Sequence, residues 1–226
     1  RQRQMCIRDR CGVWNSAEEI AANPHFSDDA PGGIRIVDTN NDGSLTPEDR
    51  VALGTPYPDF TWGITNTFQI KDFDISFLIQ GVQGITVLNG DVYYNETKKW
   101  NKKYTKNRWV SAEHPGDGKT PYQNVKTGHD LMLTDYPLQN ASYACLRNFT
   151  VGYTLPATAA RKIKLSGVRF YVSGSNLLYI WGSGYKGINP ESRMTSGNYS
   201  SAMISGYQRG GFPLTSTISA GFDINF

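Results

Sequence analysis

The sequence has no long hydrophobic run and almost no excess charge of either sign. No stretch reaches the roughly 18 consecutive apolar residues that a membrane-spanning helix requires. Its 23 basic and 20 acidic residues give a net charge of +3, which is too balanced to indicate a nucleic-acid-binding surface. A helical membrane protein is therefore excluded. A β-barrel is not, because its strands alternate apolar and polar residues and never produce a long apolar run.

Motifs for metal, redox or catalytic chemistry are also scarce. The three cysteines form no CxxC pair, and the three histidines form neither an HExxH pair nor part of a recognisable catalytic arrangement. Gly182, Gly184 and Gly187 have the spacing of a dinucleotide-binding fingerprint, but Pro190 prevents the helix that such a site requires. The sequence predicts that the protein is not an enzyme.

The first ten residues, Arg1 to Arg10, are unpatterned and strongly basic. They resemble translated adapter sequence at the end of an assembled gene, which predicts a truncated gene with a non-native start. On that interpretation Cys6 is not native, and Cys11 and Cys145 remain, far apart in sequence.

Alternation of apolar and polar residues with a period of two is the strongest pattern in the chain, and it recurs five times. From Phe60 to Ile70 the apolar residues share one face, and only Asn66 interrupts them. After a two-residue Lys71-Asp72 turn a second run continues from Phe73 to Gln80, which predicts a tight hairpin. The later runs cover Tyr143 to Tyr153, Val168 to Leu178, and Leu214 to Phe226.

The length and the polar face of these strands favour a barrel wall. Runs of about ten residues match a tilted membrane-spanning strand of roughly nine to eleven residues better than the five or six usual in soluble sheets. The polar face carries Thr, Ser, Gly, Asn and Asp, which suit a water-filled lumen but not the dry interior of a sandwich. We therefore predict an all-β fold, an antiparallel up-and-down transmembrane β-barrel segment of about five strands whose apolar face meets lipid.

Long and short connections alternate between the predicted strands. Transmembrane barrels have short periplasmic turns and long external loops, so the alternation predicts which end faces outward. The long connections are residues 11–57, 87–141 and 183–212. Lys71-Asp72 is a short turn, and the connection from Leu155 to Gly167 is of medium length. The predicted division is a non-native start (1–10), an extracellular loop (11–57) and the barrel strands (58–226).

The last residues alternate regularly up to a terminal phenylalanine. They resemble the C-terminal β-signal by which outer-membrane proteins engage the barrel assembly machinery, with Ser219, Gly221, Ile224 and Phe226 in the positions of that signal. The alternative is a soluble β-sandwich whose last strand ends the chain.

Four aromatic residues lie near predicted strand ends: Trp62, Tyr153, Tyr179 and Trp181. They have the placement of an interfacial girdle around a membrane barrel. The alternative is that aromatic residues favour strands in general.

Three stretches carry a family resemblance: Pro31 to Gly84, Ala141 to Pro156 (ASYACLRNFTVGYTLP) and Val168 to Glu191. They resemble parts of the SusC/RagA family of TonB-dependent transporters. The first resembles the family's acidic loop, strand entry and hairpin, the second resembles one of its strands, and the third resembles its penultimate strand and loop. Together the three stretches span most of residues 12–226.

The resemblance implies the C-terminal part of a barrel of about 22 strands. It also implies an N-terminal plug reached by TonB, a SusD-like lipoprotein lid, and import of glycans or peptides. The implied location is the cell outer membrane of a Gram-negative, Bacteroidetes-like bacterium, with membrane lipid and the barrel assembly machinery as further partners. The alternative function is a secreted, calcium-containing β-sandwich that binds glycans.

One loop has the ligand spacing of an EF-type calcium site, with Gly43 at the sharp turn. Hard oxygen donors at alternate positions can surround one cation, although Asp49 stands where a bidentate Glu is commoner. The predicted ligands are Asp38, Asn40, Asp42, Ser44 and Asp49. The alternative, compatible with calcium, is a turn before a helix start, with Thr46 as N-cap, Pro47 at the first helical position and Asp49 closing a capping box.

The long loop 87–141 interleaves aromatic and cationic residues. Such side chains can stack on sugar rings or bury amphipathic area against a partner. The residues predicted to contact the lid or the substrate are Trp100, Tyr104, Trp109 and Tyr185. The alternative is that these rings pack the loop against itself.

Overall fold

The computed structural model describes residues 6–91, 106–122, 134–192, 206–208 and 211–226. A five-stranded antiparallel sheet, here called the main sheet, dominates the fold. Its strands are β5 (Phe60–Ile70), β6 (Phe73–Gln83), β9 (Tyr143–Thr154), β10 (Gly167–Trp181) and β12 (Thr217–Asn225). They pair in the order β12-β10-β9-β6-β5. The predicted all-β, up-and-down architecture is confirmed, and the sheet is open, with β5 and β12 as its edges.

The predicted and observed strand bounds agree most closely where a tight turn determines them. β5 ends as predicted because Lys71, with a φ of 54°, turns the chain directly into β6. β6 and β10 continue three residues beyond the predicted ends, to Gln83 and Trp181. The last strand is shorter than predicted, since it begins at Thr217 and ends at Asn225.

The register sorts the side chains of the main sheet onto two faces, because directly paired residues lie on the same side of a sheet. One row across all five strands is apolar: Phe68, Ile75, Val151, Val172 and Ala220. The adjacent row, on the opposite face, is polar: Thr67, Ser76, Thr150, Ser173 and Ser219. Much of the apolar face is exposed, so within the described residues it is not the core of a two-layer sandwich.

The lead-in segment forms a small unit of its own. Helix α1 (Ala17–Ala21) begins at Ser16, whose hydroxyl accepts a hydrogen bond from the Glu19 N–H, and a 3-10 helix spans Pro47–Asp49. Two strand pairs complete the unit: β2 (Arg10–Val13) with β3 (Ile34–Ile36), and β1 (Cys6–Arg8) with β4 (Arg50–Ala52). Residues 6–8 and Arg10 thus belong to strands, whereas the sequence pattern placed them outside the fold.

A second small sheet joins the long connections at one end of the main sheet. It contains β7 (Thr86–Asn89), β8 (Leu138–Asn140) and β11 (Tyr207–Gln208) in the order β11-β7-β8. Its core is Ile85, Val87, Ala141 and Tyr185. We call this sheet and its core the rim body.

The other end of the main sheet carries only the short connections, the Lys71-Asp72 turn and helix α2 (Ala157–Lys162). The predicted alternation of long and short connections therefore corresponds to two different ends of one sheet. Among the described residues, no helix combines the length and the apolar character needed to cross a membrane.

Candidate functional site

A β-bulge interrupts the polar face near the rim body. β9 pairs with β6 at Asn148 and again at Leu146, so Arg147 is an extra residue without a partner in β6. β10 is irregular at the same level, between Ser175 and Leu178. Bulges re-aim side chains, and this one turns Arg147 onto the polar face.

Arg147 is the centre of a polar cluster that connects three elements. Its Nη1 donates to Asn176 Oδ1 at 2.7 Å and to the Tyr179 hydroxyl at 2.9 Å, both in β10. Its Nη2 donates to Glu191 Oε1, which forms an ion pair with it. With its amide oxygen toward the guanidinium, Gln80 of β6 accepts from Arg147 Nε at 3.0 Å.

Aromatic rings continue this cluster toward the rim body. Tyr143 and Tyr179 lie 6.1 Å apart between ring centroids, and Trp181 lies 6.4 Å from Tyr179 and 6.1 Å from Tyr185. Tyr179 pairs with Cys145 and Trp181 with Tyr143, so both belong to the polar face. The predicted girdle is therefore wrong for Tyr179 and Trp181, which lie on the face that a lipid girdle cannot use.

The other two predicted girdle residues lie on the apolar face, near opposite ends of their strands. Trp62 pairs with Gly81, and its ring occupies the space where a side chain on that glycine would stand. Tyr153 contacts Phe73 with ring centroids 4.8 Å apart, near the short-connection end. These two positions suit membrane interfaces.

A second arginine bridges strands at the short-connection end of the polar face. Arg169 of β10 donates from Nε and Nη2 to both carboxylate oxygens of Asp74 in β6, at 3.1 and 2.7 Å. The bridge crosses β9 over Gly152, where a β-carbon would lie 2.6 Å from Arg169 Nη2. Asp223 of β12 accepts from Nη1 at 3.4 Å. The bridge thus connects β6, β10 and β12.

The four residues of the predicted assembly signal lie in or beside β12. Ser219 and Gly221 are on the polar face, and a β-carbon at Gly221 would lie 2.5 Å from the Tyr171 hydroxyl of β10. Ile224 lies on the apolar face, paired with Val168. Phe226 follows the strand and is 92% exposed.

Two of the residues predicted to contact a lid or substrate are described, and both pack within the protein. The ring of Trp109 covers Gly32 and meets Tyr122 edge-on at 6.4 Å. Tyr185 is only 5% exposed and donates from its hydroxyl to Gln208 Oε1 at 2.8 Å. Tyr185 therefore differs from the expectation of an accessible contact residue, since it belongs to the rim-body core. Trp100 and Tyr104 lie outside the described residues.

Asp117 orders the loop 106–122 through local hydrogen bonds. Its Oδ1 accepts from the backbone N–H groups of Lys119 at 2.9 Å and Thr120 at 2.7 Å, and its Oδ2 accepts from the Thr120 hydroxyl. Burial acts to raise the pKa of Asp117, but these hydrogen bonds outweigh it and the pKa is lowered. The carboxylate form is thus the one that holds the loop.

The candidate calcium loop contains the predicted capping box. Thr46 is the N-cap of the 3-10 helix, Pro47 opens it, and Asp49 Oδ2 accepts from the Thr46 N–H at 2.7 Å. Asp49 is fully buried, and its Oδ1 accepts from the Thr39 N–H at 2.9 Å. The alternative of a turn before a helix start is confirmed.

The remaining predicted ligands lie on the turn that precedes this helix. Asp38 Oδ2 accepts from the Gly43 N–H at 2.9 Å, while its Oδ1 is buried and has no hydrogen-bond partner among the described residues. Asp42 accepts from the Ser44 N–H and from the Asn40 amide. In the part of the chain that the structure describes, no three His, Cys, Asp or Glu side chains come together as a metal-binding group.

These features define a class of protein. A single antiparallel sheet with an exposed apolar face, a polar opposite face and long connections at one end is a wall segment of a transmembrane β-barrel.

The Arg147 cluster was not predicted from the sequence, although one signal was present. Two polar residues, Arg147 and Asn148, separate Leu146 from Phe149, and this breaks the period of two where the bulge lies.

Comparison with known proteins agrees with this class. TonB-dependent receptor P26 of Formosa agariphila is 30% identical over 225 residues, covering 95% of this chain and 22% of the receptor. TonB-dependent receptor P3 of the same organism is 30% identical over 223 residues, and TonB-dependent receptor SusC of Bacteroides thetaiotaomicron is 27% identical over 157 residues. No protein-family model matches the chain.

A solved structure of the RagAB peptide transporter matches 97% of this chain with a TM-score of 0.68 at 18% identity, which shows a shared fold. The chain covers 22% of that transporter chain and about a fifth of the curated receptors. Over nearly its whole length the chain is similar to TonB-dependent receptors, SusC among them, and its relatives named here are receptors and transporters rather than enzymes.

Proposed function

We propose that this chain forms part of the wall and external mouth of an outer-membrane transporter in a Gram-negative bacterium. The observation that carries the proposal is the separation of an exposed apolar face from a polar face across all five strands of the main sheet. An apolar face suits acyl chains, and a polar face suits a hydrated lumen. The transporter relatives support the same assignment.

The cargo in this proposal is a glycan or a peptide, taken up with a SusD-like lipoprotein over the mouth and with energy supplied through TonB. RagAB is described as a peptide transporter, which supports a peptide as the cargo. Its name denotes two components, which supports a second protein as the lid. Ser219, Gly221, Ile224 and Phe226 would serve as the signal for the barrel assembly machinery. The secreted sandwich is less well supported, because no second sheet covers the apolar face in the described ranges.

The proposal fixes an orientation that can be tested with two exposed aliphatic residues. Val110 lies in the loop 106–122, which packs against the lead-in segment, and Ile163 follows α2 at the opposite end of the main sheet. In a receptor of the relatives' full length, with Cys6 and Cys11 replaced by Ser, we expect Val110→Cys to react with a membrane-impermeant maleimide on intact cells. Ile163→Cys should react only after permeabilisation. Equal labelling of both sites on intact cells would contradict the orientation.

We further propose that the loop 38–49 binds Ca²⁺. The observation that favours it is Asp38 Oδ1, a buried carboxylate oxygen without a hydrogen-bond partner among the described residues. The donors fit a hard cation, and each carboxylate can accept about four bonds, so those of Asp42 and Asp49 can serve an ion as well as the backbone. Asp38, Asn40, Asp42 and Asp49 would bind through side chains and Ser44 through its carbonyl. The ion would neutralise these carboxylates and tighten the turn.

The calcium proposal predicts a stabilisation that depends on Asp38. For an affinity of roughly 0.1–1 mM, typical of extracellular modules, 10 mM Ca²⁺ adds about 1.4–2.7 kcal/mol to the native state. We expect titration calorimetry to show this affinity in the wild-type receptor and not in Asp38→Ala, with Mg²⁺ as the control cation. Failure to detect any calcium affinity below millimolar in the wild type would remove the proposal.

A further inference from the structure

The connection that follows β10 turns back over the polar face instead of leading away from it. After Trp181 the chain reverses at a turn in which the Gly182 N–H donates to Ser142 O and the Tyr185 N–H donates to Gly182 O. Gly184 has a φ of 84°, a left-handed conformation that favours glycine. Ten residues after the strand ends, the chain is again beside it.

Glu191 is the residue through which this connection contacts β9 and β10 again. Its Oε1 accepts from the Tyr179 hydroxyl at 3.2 Å and from Arg147 Nη2. Tyr179 lies two residues inside the end of β10, and Arg147 lies four residues inside the start of β9. At about 3.3 Å per residue these positions are roughly 7 and 13 Å from the strand ends. The Glu191 carboxylate therefore contacts the polar face of the main sheet near the rim-body ends of β9 and β10.

The ion pair is the charged contact that fixes this return. The side chains of Arg147 and Glu191 are 22% and 26% exposed, so both charges are largely withdrawn from water and depend on each other. The other acceptors of Arg147 are neutral and belong to the wall itself: Gln80, Asn176 and Tyr179. Glu191 is the acceptor that belongs to the connection. The bulge that frees Arg147 from strand pairing with β6 gives it the orientation this contact needs.

We propose that Arg147 is a positioning residue that holds segment 182–191 folded into the pore mouth, where the segment narrows the opening and takes part in selecting the cargo. This inference rests on the proposed function, because the polar face must line the lumen. It changes the interpretation of the segment, which the sequence alone places in an external loop.

The test measures how well reagents of different size reach Ile188, which is 51% exposed within the segment. In the full-length receptor with Cys6→Ser and Cys11→Ser, Ile188→Cys is treated on intact cells with a small maleimide or with a polymer-linked maleimide too bulky for the pore. We expect the small reagent to react and the bulky one to react slowly. Removing the ion pair with Glu191→Ala should raise the bulky reagent's rate about tenfold, the effect of losing one charge-assisted hydrogen bond.

Two variants separate positioning from general damage. The exchange Arg147→Glu with Glu191→Arg should restore slow labelling, which loss of local folding would not do. Asp74→Asn weakens the other arginine bridge on the polar face, far from Ile188, and should leave the labelling rate unchanged.

Three other labelling results would contradict either this inference or the proposed orientation. If the bulky reagent labels the Ile188→Cys receptor as fast as Val110→Cys, the segment is external and the inference is overturned. If labelling is slow and stays slow in Glu191→Ala, Arg147 does not position the segment, and the inference is again overturned. Failure of Val110→Cys to react on intact cells would instead count against the orientation in the proposed function.

Discussion

Lysine at position 64 is expected to prevent the receptor from accumulating as a folded barrel, whereas lysine at position 65 is expected to be tolerated. Ile64 is 53% exposed on the apolar face near the middle of β5, and Thr65 is the next residue on the polar face. A lysine facing lipid near the membrane midplane costs about 2–4 kcal/mol, while a lumen-facing lysine remains hydrated. The two sites share a strand, a depth and a β-branched side chain, so they form a matched pair.

The measurement is the fraction of full-length receptor in outer-membrane preparations that migrates as a folded, heat-modifiable species. Ile64→Val serves as a control for loss of packing, since it keeps an apolar group on the same face. Equal accumulation of Ile64→Lys and Thr65→Lys would show that both faces meet water. The assignment of the apolar face to lipid would then fail, and the transporter proposal with it.

The two faces of the main sheet could be predicted because they depend on local alternation alone. Within β5 and β6 a period of two and one tight turn determine both the bounds and the faces, and Lys71 supplies the left-handed residue of that turn. The pairing of Thr67 with Ser76, and of Phe68 with Ile75, follows from that turn without further information. The end of β12 is less well determined, since nothing in the alternation excludes Phe226 from the strand.

Tyr143 and Cys145 show where the same reasoning fails. An unbroken period of two in β9 would put both residues on the face of Phe149 and Val151, but the extra residue Arg147 shifts the alternation and both lie on the polar face. The girdle prediction for Tyr179 and Trp181 failed for another reason, since it relied on their position near a strand end and not on their alternation with Ser173. A period of two fixes the face only within an uninterrupted run. Predicting the faces of Tyr143 and Cys145 requires the register of β9 against β6, which is a long-range property.

The rim body could not be predicted because it depends on contacts between distant segments. β7 and β8 are about fifty residues apart, and Asn89 donates to Gln139 across that separation at 3.0 Å. The pairing of β7 with β11 is parallel and only two residues long. Short strands rich in amides carry little periodic signal, and their stability comes from burial against Tyr185 and its neighbours.

Asp49 is expected to contribute more to the order of the lead-in segment than any other carboxylate of the candidate calcium loop. It is fully buried, and its two oxygens accept from the Thr39 and Thr46 N–H groups. Asp49→Ala removes both acceptors and leaves two backbone donors in a site that water does not reach easily. A charge-assisted hydrogen bond contributes about 1.5–3 kcal/mol and a helix cap about 1 kcal/mol, so we expect a loss of roughly 3 kcal/mol or more in local stability.

Amide hydrogen exchange of Thr39 and Thr46 in the full-length receptor measures this loss directly, as a fall of about a hundredfold or more in protection. Asp38→Ala is the matched control within the same loop, because Asp38 accepts one hydrogen bond from Gly43 and its other oxygen has no hydrogen-bond partner among the described residues. Without calcium, Asp38→Ala should reduce the protection of the Thr39 and Thr46 amides only slightly. With calcium, it should abolish the increase in protection that the ion gives to the wild type. If Asp49→Ala leaves both amides protected, the capping box does not hold the loop. A calcium-dependent gain in protection that survives in Asp38→Ala would place the ion elsewhere. Because Asp49 is also a proposed ligand, Asp49→Ala tests the cap only when exchange is measured without calcium.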